Sequence, residues 1–169
     1  ISIVLGLGIT QILAGFGQAL QQQPDAAVGP HTPHDLGTWL AADTRRRQTD
    51  AALAARLYAA PLVVLAHGTE PDPLFNYANL AAQQLFERTW EEFIGLPSRL
   101  SAEAPERSER ERLLTRVTTH GFIDDYSGVR ISKSGHRFRI LRATVWNVSD
   151  TSHHHLGQAA TFSDRQPCT

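Results

Sequence analysis

Asp125 and Arg142 are the residues best suited to polar chemistry, because they sit in two apolar segments on either side of a Ser134-Gly135 turn. If that turn is a two-residue hairpin loop, Arg142 lies across from Ser127 and diagonal to Asp125. An aspartate and an arginine that face a protein interior are costly unless they are paired or bound to something. Three interpretations stay open: a polar anchor in a ligand cavity, a structural ion pair, or a bulge that turns both residues outward.

The same register sorts the hairpin side chains between two faces of a sheet. The inner face pairs Ile131 with Phe138, Val129 with Ile140 and Ile123 with Trp146, and it also carries Thr144. The outer face carries the apolar residues Tyr126, Leu141, Ala143 and Val145. An apolar outer face needs a cover, which is either the chain's own upstream helix or a second copy of the protein. Nearer the turn we expect an outward basic edge of Arg130, Arg137 and Arg139.

Other catalytic and cofactor chemistries find little support. No cysteine precedes Cys168, which excludes flavin photochemistry through a cysteine adduct. His120 is the candidate haem ligand, but its place before Gly121 at a helix end is better explained by the helix dipole. The side chains of His153-His154-His155 diverge, which favours adventitious metal binding. Nucleophile, phosphate-loop and dinucleotide motifs are missing from the sequence, so we expect no catalytic residues, no cofactor and no metal site.

Composition gives this chain no strong electrostatic preference. It has 169 residues, with 16 Lys and Arg against 17 Asp and Glu, and a single cysteine. Balanced charge produces no field that favours nucleic acid, and one cysteine gives no sign of an oxidising compartment. We therefore expect a cytoplasmic protein without a nucleic-acid partner, attached to a membrane if its first residues span one.

The chain divides into four segments. Residues 1–24 are uncharged, and the apolar stretch 1–20 is long enough to cross a bilayer. A membrane helix, a buried helix and a segment foreign to the domain remain open for it. Residues 25–48 form a linker, residues 49–164 a folded domain and residues 165–169 a tail.

Local signals define the helices of the folded domain. Asp50 begins a helix that Pro61 ends, with Leu53, Leu57 and Tyr58 on one stripe. Further on, Asn79 caps Leu80 to Glu87, a Thr89/Glu92 capping box starts the next helix, and Ser108 with Glu111 starts the helix Glu109 to Thr119, which Gly121 ends. The strands are Leu62 to Ala66, Leu74 to Tyr77, the two hairpin segments, and Leu156 to Phe162. This order predicts an α+β fold: a five-stranded antiparallel sheet with short helices on one face, preceded by an N-terminal helix.

Five stretches of this sequence resemble a known family. They are Phe75 to Phe86, Thr89 to Arg99, Gly128 to Ser132, Val145 to Asn147 and Gly157 to Phe162. Together they are similar to the MEKHLA family, a PAS-like module found alone in bacteria and at the C-terminus of some plant homeodomain transcription factors. The resemblance covers about residues 50–164, although the hexapeptide that names the family is absent.

The resemblance implies a sensory or regulatory module that mediates protein–protein interaction, forms a homodimer and senses a small molecule. The expected cavity residues are Asn79, Phe93, Asp125, Phe138, Arg142, Thr144 and Trp146. The expected interface residues are Leu53, Leu57, Tyr126, Leu141, Ala143 and Val145. The alternative is a polar-metabolite-binding protein or enzyme that uses Asp125 and Arg142. A filled interior favours interaction, whereas an open polar cavity favours ligand binding.

Overall fold

A computed structural model describes residues 11–14, 50–102 and 104–168. The helices are α1 (Asp50–Tyr58), α2 (Leu80–Phe86), α3 (Trp90–Phe93) and α4 (Ala104–His120), with a 3₁₀ turn at Ser98–Ser101. The strands are β1 (Val63–His67), β2 (Phe75–Ala78), β3 (Phe122–Ile131), β4 (Arg137–Ser149), β5 (His155–Phe162) and β6 (Arg165–Pro167). Apart from 11–14, the predicted apolar segment 1–24 and linker 25–48 lie outside the described residues. Within the described part of the chain, no helix is long and apolar enough to cross a membrane.

The strands form a single antiparallel sheet in the order β2-β1-β5-β4-β3. This confirms the predicted α+β, PAS-like class. A short sixth strand, β6, pairs with β4 and continues the line of β5 along it in the same register. The segment predicted as a tail therefore contributes backbone pairing at the turn end of the hairpin.

Three of the predicted helix caps are present. Asn79 accepts a hydrogen bond from the Ala82 backbone N–H, the Thr89/Glu92 capping box starts α3, and Gly121 takes a left-handed φ of 89° after α4. The predicted start of α4 at Ser108 is wrong, because the helix already begins at Ala104. Proline is favoured in the first helical turn, and Pro105 stands there.

The predicted hairpin register is also wrong, by one residue. The loop between β3 and β4 holds three residues, Lys133 to Gly135, closed by a hydrogen bond from the Ser132 N–H to the His136 carbonyl oxygen at 2.9 Å. Gly135 has a φ of 92°, which is the left-handed residue that follows a turn in three-residue hairpin loops. Ile131 therefore pairs with Arg137 rather than with Phe138.

Two bulges further along the hairpin decide which side chains face the helices. β3 carries one extra residue between Ile123 and Tyr126, and β4 carries one extra residue between Ile140 and Ala143. Arg142, within the second bulge, has a left-handed φ of 48°. Side chains alternate between the two faces along a strand. Beyond an extra residue, each side chain therefore points to the face opposite to the one it would take in a regular strand.

Each face of the sheet has its own core. On the face toward α2, α3 and α4, the rings of Phe75, Phe86, Phe93 and Phe138 meet edge to face. On the opposite face, fully buried Leu57 of α1 and Trp146 of β4 belong to a second cluster, which residues 11–14 join through Ile12 and Leu13. The Trp146 indole N–H donates to the Ile12 carbonyl oxygen at 2.9 Å. The chain's own N-terminal residues thus cover the outer face.

Candidate ligand cavity

A cavity of about 70 Å³ lies between the sheet and α4. Most of its wall is apolar and includes Leu65, Phe75, Leu113, Val117, Ile123, Ile140, Ala143, Val145, Ala160 and Phe162. The polar side chains at the wall are His67, Ser101, Tyr126, Arg130 and Gln158. An apolar cavity of about 150 Å³ takes benzene, and drug-sized ligands need roughly 300–1,000 Å³. The space therefore suits a ligand of only a few heavy atoms.

Three alternate residues of β3 form the polar part of this wall. Tyr126, Gly128 and Arg130 project from one face of the strand, since alternate residues share a face. The Arg130 guanidinium lies 5.1 Å from the centroid of the Tyr126 ring and donates a hydrogen bond to its hydroxyl. A Cβ at position 128 would collide with the Tyr126 hydroxyl, so glycine is what lets the ring lie across the strand.

Arg130 carries a buried positive charge. Its exposed fraction is only 6%, and besides the Tyr126 hydroxyl it donates to the Val129 carbonyl oxygen, 2.8 Å away. Among the described side chains, no carboxylate lies within ion-pair distance of it. A buried charge is costly without a compensating partner, which makes Arg130 the strongest electrostatic feature of the cavity.

Gln158 supplies a second polar group, from β5. Its amide N–H groups donate to the Leu114 carbonyl oxygen and the Thr118 hydroxyl of α4, each at 3.0 Å. The side chain is 3% exposed, and its Oε1 atom has no hydrogen-bond partner among the described residues. An unpaired buried acceptor costs about 1–3 kcal/mol, so a donor placed beside it would be favoured.

The seven predicted cavity residues lie elsewhere. Asn79, Phe93 and Phe138 are buried in the core, while Thr144 and Trp146 belong to the opposite face because of the β4 bulge. Asp125 is exposed, and the Arg142 side chain is 47% exposed and 3.8 Å from Asp164. Of the three interpretations for Asp125 and Arg142, the bulge that turns both outward is the one observed.

The predicted interface residues also divide. Leu53 and Leu57 do lie on α1 over the outer face of the sheet. Tyr126, Ala143 and Val145 instead line the cavity on the inner face, so their assignment to an outer patch is wrong. Leu141 is half-buried, and its backbone N–H donates to the Asp164 carbonyl oxygen just before β6. The shifted register and the bulges account for each difference.

Arg130 was expected on an outward basic edge, and the sequence does contain a signal for its true position. Tyr126-x-Gly128-x-Arg130 places a ring, a residue without a side chain and a cation along one strand face. That spacing allows an arginine to lie over an aromatic ring four residues earlier on the same strand face. The spacing therefore indicates that Tyr126 and Arg130 share one strand face, but it does not indicate which face meets the helices.

A separate polar cluster fastens the hairpin loop to the end of α2. Hydrogen bonds from the Ser134 and Ser132 hydroxyls and from His136 lower the pKa of Glu87 from its ordinary 4.5 to about 2. Glu87 itself has a left-handed φ of 56° at the C-cap of α2. The Lys133 N–H adds a backbone bond to the Phe86 carbonyl oxygen at 3.0 Å. This cluster holds the loop in place and lies outside the cavity.

A family model described as the MEKHLA domain matches residues 34–166. The chain belongs to the MEKHLA family. The match extends upstream of the resemblance seen in the sequence and includes part of β6. No curated protein sequence matches the chain.

Solved structures place this MEKHLA domain in the PAS fold. The PAS domain of a protein from Colwellia psychrerythraea has a TM-score of 0.56 at 14% identity, covering 66% of this chain and 92% of that one. An RNA-binding light-oxygen-voltage receptor has a TM-score of 0.55 at 16% identity, covering 83% of this chain and 36% of that one. A light-oxygen-voltage domain studied with a flavin analogue has a TM-score of 0.50 at 14% identity, covering 70% and 85%. By fold, the chain is similar to PAS and light-oxygen-voltage domains.

Proposed function

We propose that this MEKHLA domain is a sensory module in which a small molecule in the cavity changes the packing of the N-terminal residues across the sheet. The observation that supports it is one pair of neighbours on β4. Val145 lines the cavity, and Trp146 packs on the opposite face against the cluster that contains Leu57 and Ile12. A displacement of this strand therefore changes both surfaces at once, because protein interiors are close-packed.

The size and lining of the cavity restrict the ligand. A volume of about 70 Å³ leaves no room for a flavin or haem, so we expect the purified protein to carry no chromophore. A visible absorption spectrum with a flavin or Soret band would contradict this expectation. We also propose a non-catalytic role, because the polar pair of the enzyme alternative, Asp125 and Arg142, lies at the surface.

Homodimerisation belongs to the same proposal. The outer face carries Trp146 and Tyr77 beneath α1, and it becomes available to a second copy only when α1 moves away. We therefore propose that the ligand-dependent change at α1 controls contact with another protein, first of all a second copy of this chain. Light scattering across a concentration series measures the resulting change in mass.

A cavity-filling substitution tests the coupling without knowledge of the ligand. Ala143→Val adds two methyl groups at the cavity wall, and Ala81→Val adds the same groups on α2, outside the cavity. Overpacking forces strand shifts, so we expect Ala143→Val alone to speed hydrogen exchange of the α1 amides, measured by mass spectrometry. Unchanged exchange in α1, or an equal change in both variants, would refute the coupling.

A further inference from the structure

We infer that the cavity binds a short-chain carboxylate of acetate or propionate size, with Arg130 as the residue that recognises the carboxylate. The inference names the ligand class for the sensory cavity proposed above, and it rests on that proposal. It comes from two independent properties of the cavity, its charge and its shape.

The charge argument starts from the donors of Arg130. A guanidinium has five N–H donors, and Arg130 directs two of them to the Val129 carbonyl oxygen and the Tyr126 hydroxyl. Both partners are neutral, and no described carboxylate pairs with this 6%-exposed side chain. A carboxylate matches the remaining fork of donors in a bidentate manner. Binding an anion here would give Arg130 the charged partner that none of the described residues supplies.

The shape argument limits the rest of the ligand. Most of the remaining wall is apolar and includes Ile140, Ala143 and Val145, which offer contact to carbon, while His67, Ser101 and Gln158 supply the other polar groups. A volume of about 70 Å³ is roughly half of a benzene-binding cavity. An inorganic anion would satisfy the charge and leave the apolar wall empty, whereas a short alkyl tail would fill it. The buried charge of Arg130 and the apolar wall of the cavity together favour a small monocarboxylate.

The test is a titration of the purified chain with propionate, propionamide and nitrate. Propionamide keeps the shape without the charge, and nitrate keeps the charge and plane without the tail. We expect saturable binding of propionate by isothermal calorimetry and at least about tenfold weaker binding of the other two. Propionamide loses the hydrogen bond between two charged groups, and nitrate loses the burial of the alkyl tail. Propionamide or nitrate binding as tightly as propionate would overturn the assignment, and so would no binding of propionate.

Variants locate the site. Arg130→Met should weaken propionate at least about tenfold, Arg130→Lys should weaken it less, and Arg139→Met, on the exposed side of β4, should leave it unchanged. If Arg130→Met does not fold, the guanidinium N–H resonances of Arg130 in the unmodified protein give the same information. They should shift with propionate and saturate, and an absence of shift while propionate binds would place the ligand elsewhere.

The two proposals fail separately. If Ala143→Val alters exchange in α1 but propionate does not bind, the sensory coupling stands and the carboxylate assignment is wrong. If propionate binds at Arg130 but exchange in α1 changes neither with propionate nor with Ala143→Val, the site stands and the coupling is wrong.

Discussion

Asn79 is the residue whose replacement should damage this fold most for its size. Its side chain is 0% exposed and joins three elements. The Oδ1 atom accepts from the Val64 N–H at 3.0 Å and from the Ala82 N–H at 3.1 Å. The Nδ2 group donates to the Leu62 carbonyl oxygen at 2.7 Å and to the Leu57 carbonyl oxygen at 3.4 Å. One amide therefore ties the end of α1 and the start of β1 to the N-terminus of α2.

Asn79→Ala removes all of these bonds at once. Loss of a helix N-cap costs about 1 kcal/mol, and each buried backbone group left without a partner costs about 1–3 kcal/mol. With the Val64 N–H and the Leu62 carbonyl oxygen both affected, we expect the free energy of unfolding to fall by about 3–5 kcal/mol. That is a large part of the roughly 5–15 kcal/mol that stabilises a typical domain.

Urea unfolding followed by tryptophan fluorescence measures this loss, through the midpoint at constant slope. Asn76→Ala is the matched control, because Asn76 lies on β2 with an exposed side chain. Asn79→Asp gives a second comparison: it keeps an acceptor for Val64 and Ala82 but sets an oxygen against the Leu62 carbonyl oxygen. The hydrogen-bond argument is wrong if the free energy of unfolding of Asn79→Ala lies within about 1 kcal/mol of that of the parent, or is no lower than that of Asn76→Ala.

Three further predictions address the outer face, the hairpin loop and the cavity. Trp146→Ala should cost about 3–5 kcal/mol in urea melts, because it leaves a large void under α1, whereas half-buried Trp90→Ala should cost less; equal midpoints would contradict the packing. The lowered pKa of Glu87 contributes stability above pH 4.5 that is lost as the pH falls towards about 2, so thermal melts of Glu87→Gln should depend less on pH across this window, and parallel profiles would count against the cluster. Gly128→Ala should displace the Tyr126 ring and weaken propionate binding in a chain that still folds; calorimetry showing unchanged affinity would refute the close contact.

Local signals predicted the parts of this fold that depend on a few neighbouring residues. The Asn79 cap, the Thr89/Glu92 capping box and the left-handed Gly121 each need only one side chain and the backbone beside it. These local preferences are kept in the folded protein because the tertiary contacts favour the same conformations. The α+β class with an antiparallel sheet followed from the same elements and from the family resemblance.

The faces of the hairpin were not predictable in the same way. Gly135 fits the second position of a two-residue loop and the third position of a longer one, and those two loops differ by one residue in register. The β4 bulge places Arg142 at a positive φ, which arginine seldom adopts, so no sequence signal marks it. The residues predicted on the wrong face of the hairpin follow from this loop and from the two bulges. The errors at Asn79, Phe93 and Phe138 have another origin, because these side chains fill the core and do not line the cavity.

The two hairpin bulges also bear on how the length of this chain is able to change during evolution. Losing the extra residue of β4 alone would turn Thr144 and Trp146 toward the helices and would send Ala143 and Val145 beneath α1. Side chains that now line the cavity would then lie on the outer face of the sheet beneath α1, and side chains now beneath α1 would face the cavity. A deletion that makes the pairing with β3 regular would thus invert the inside and the outside of the domain, and it would also shift β4 by one residue against β5 or β6. Relatives that keep both a cavity and a cover are expected to keep the spacing between Ile140 and Ala143, however far their sequences drift.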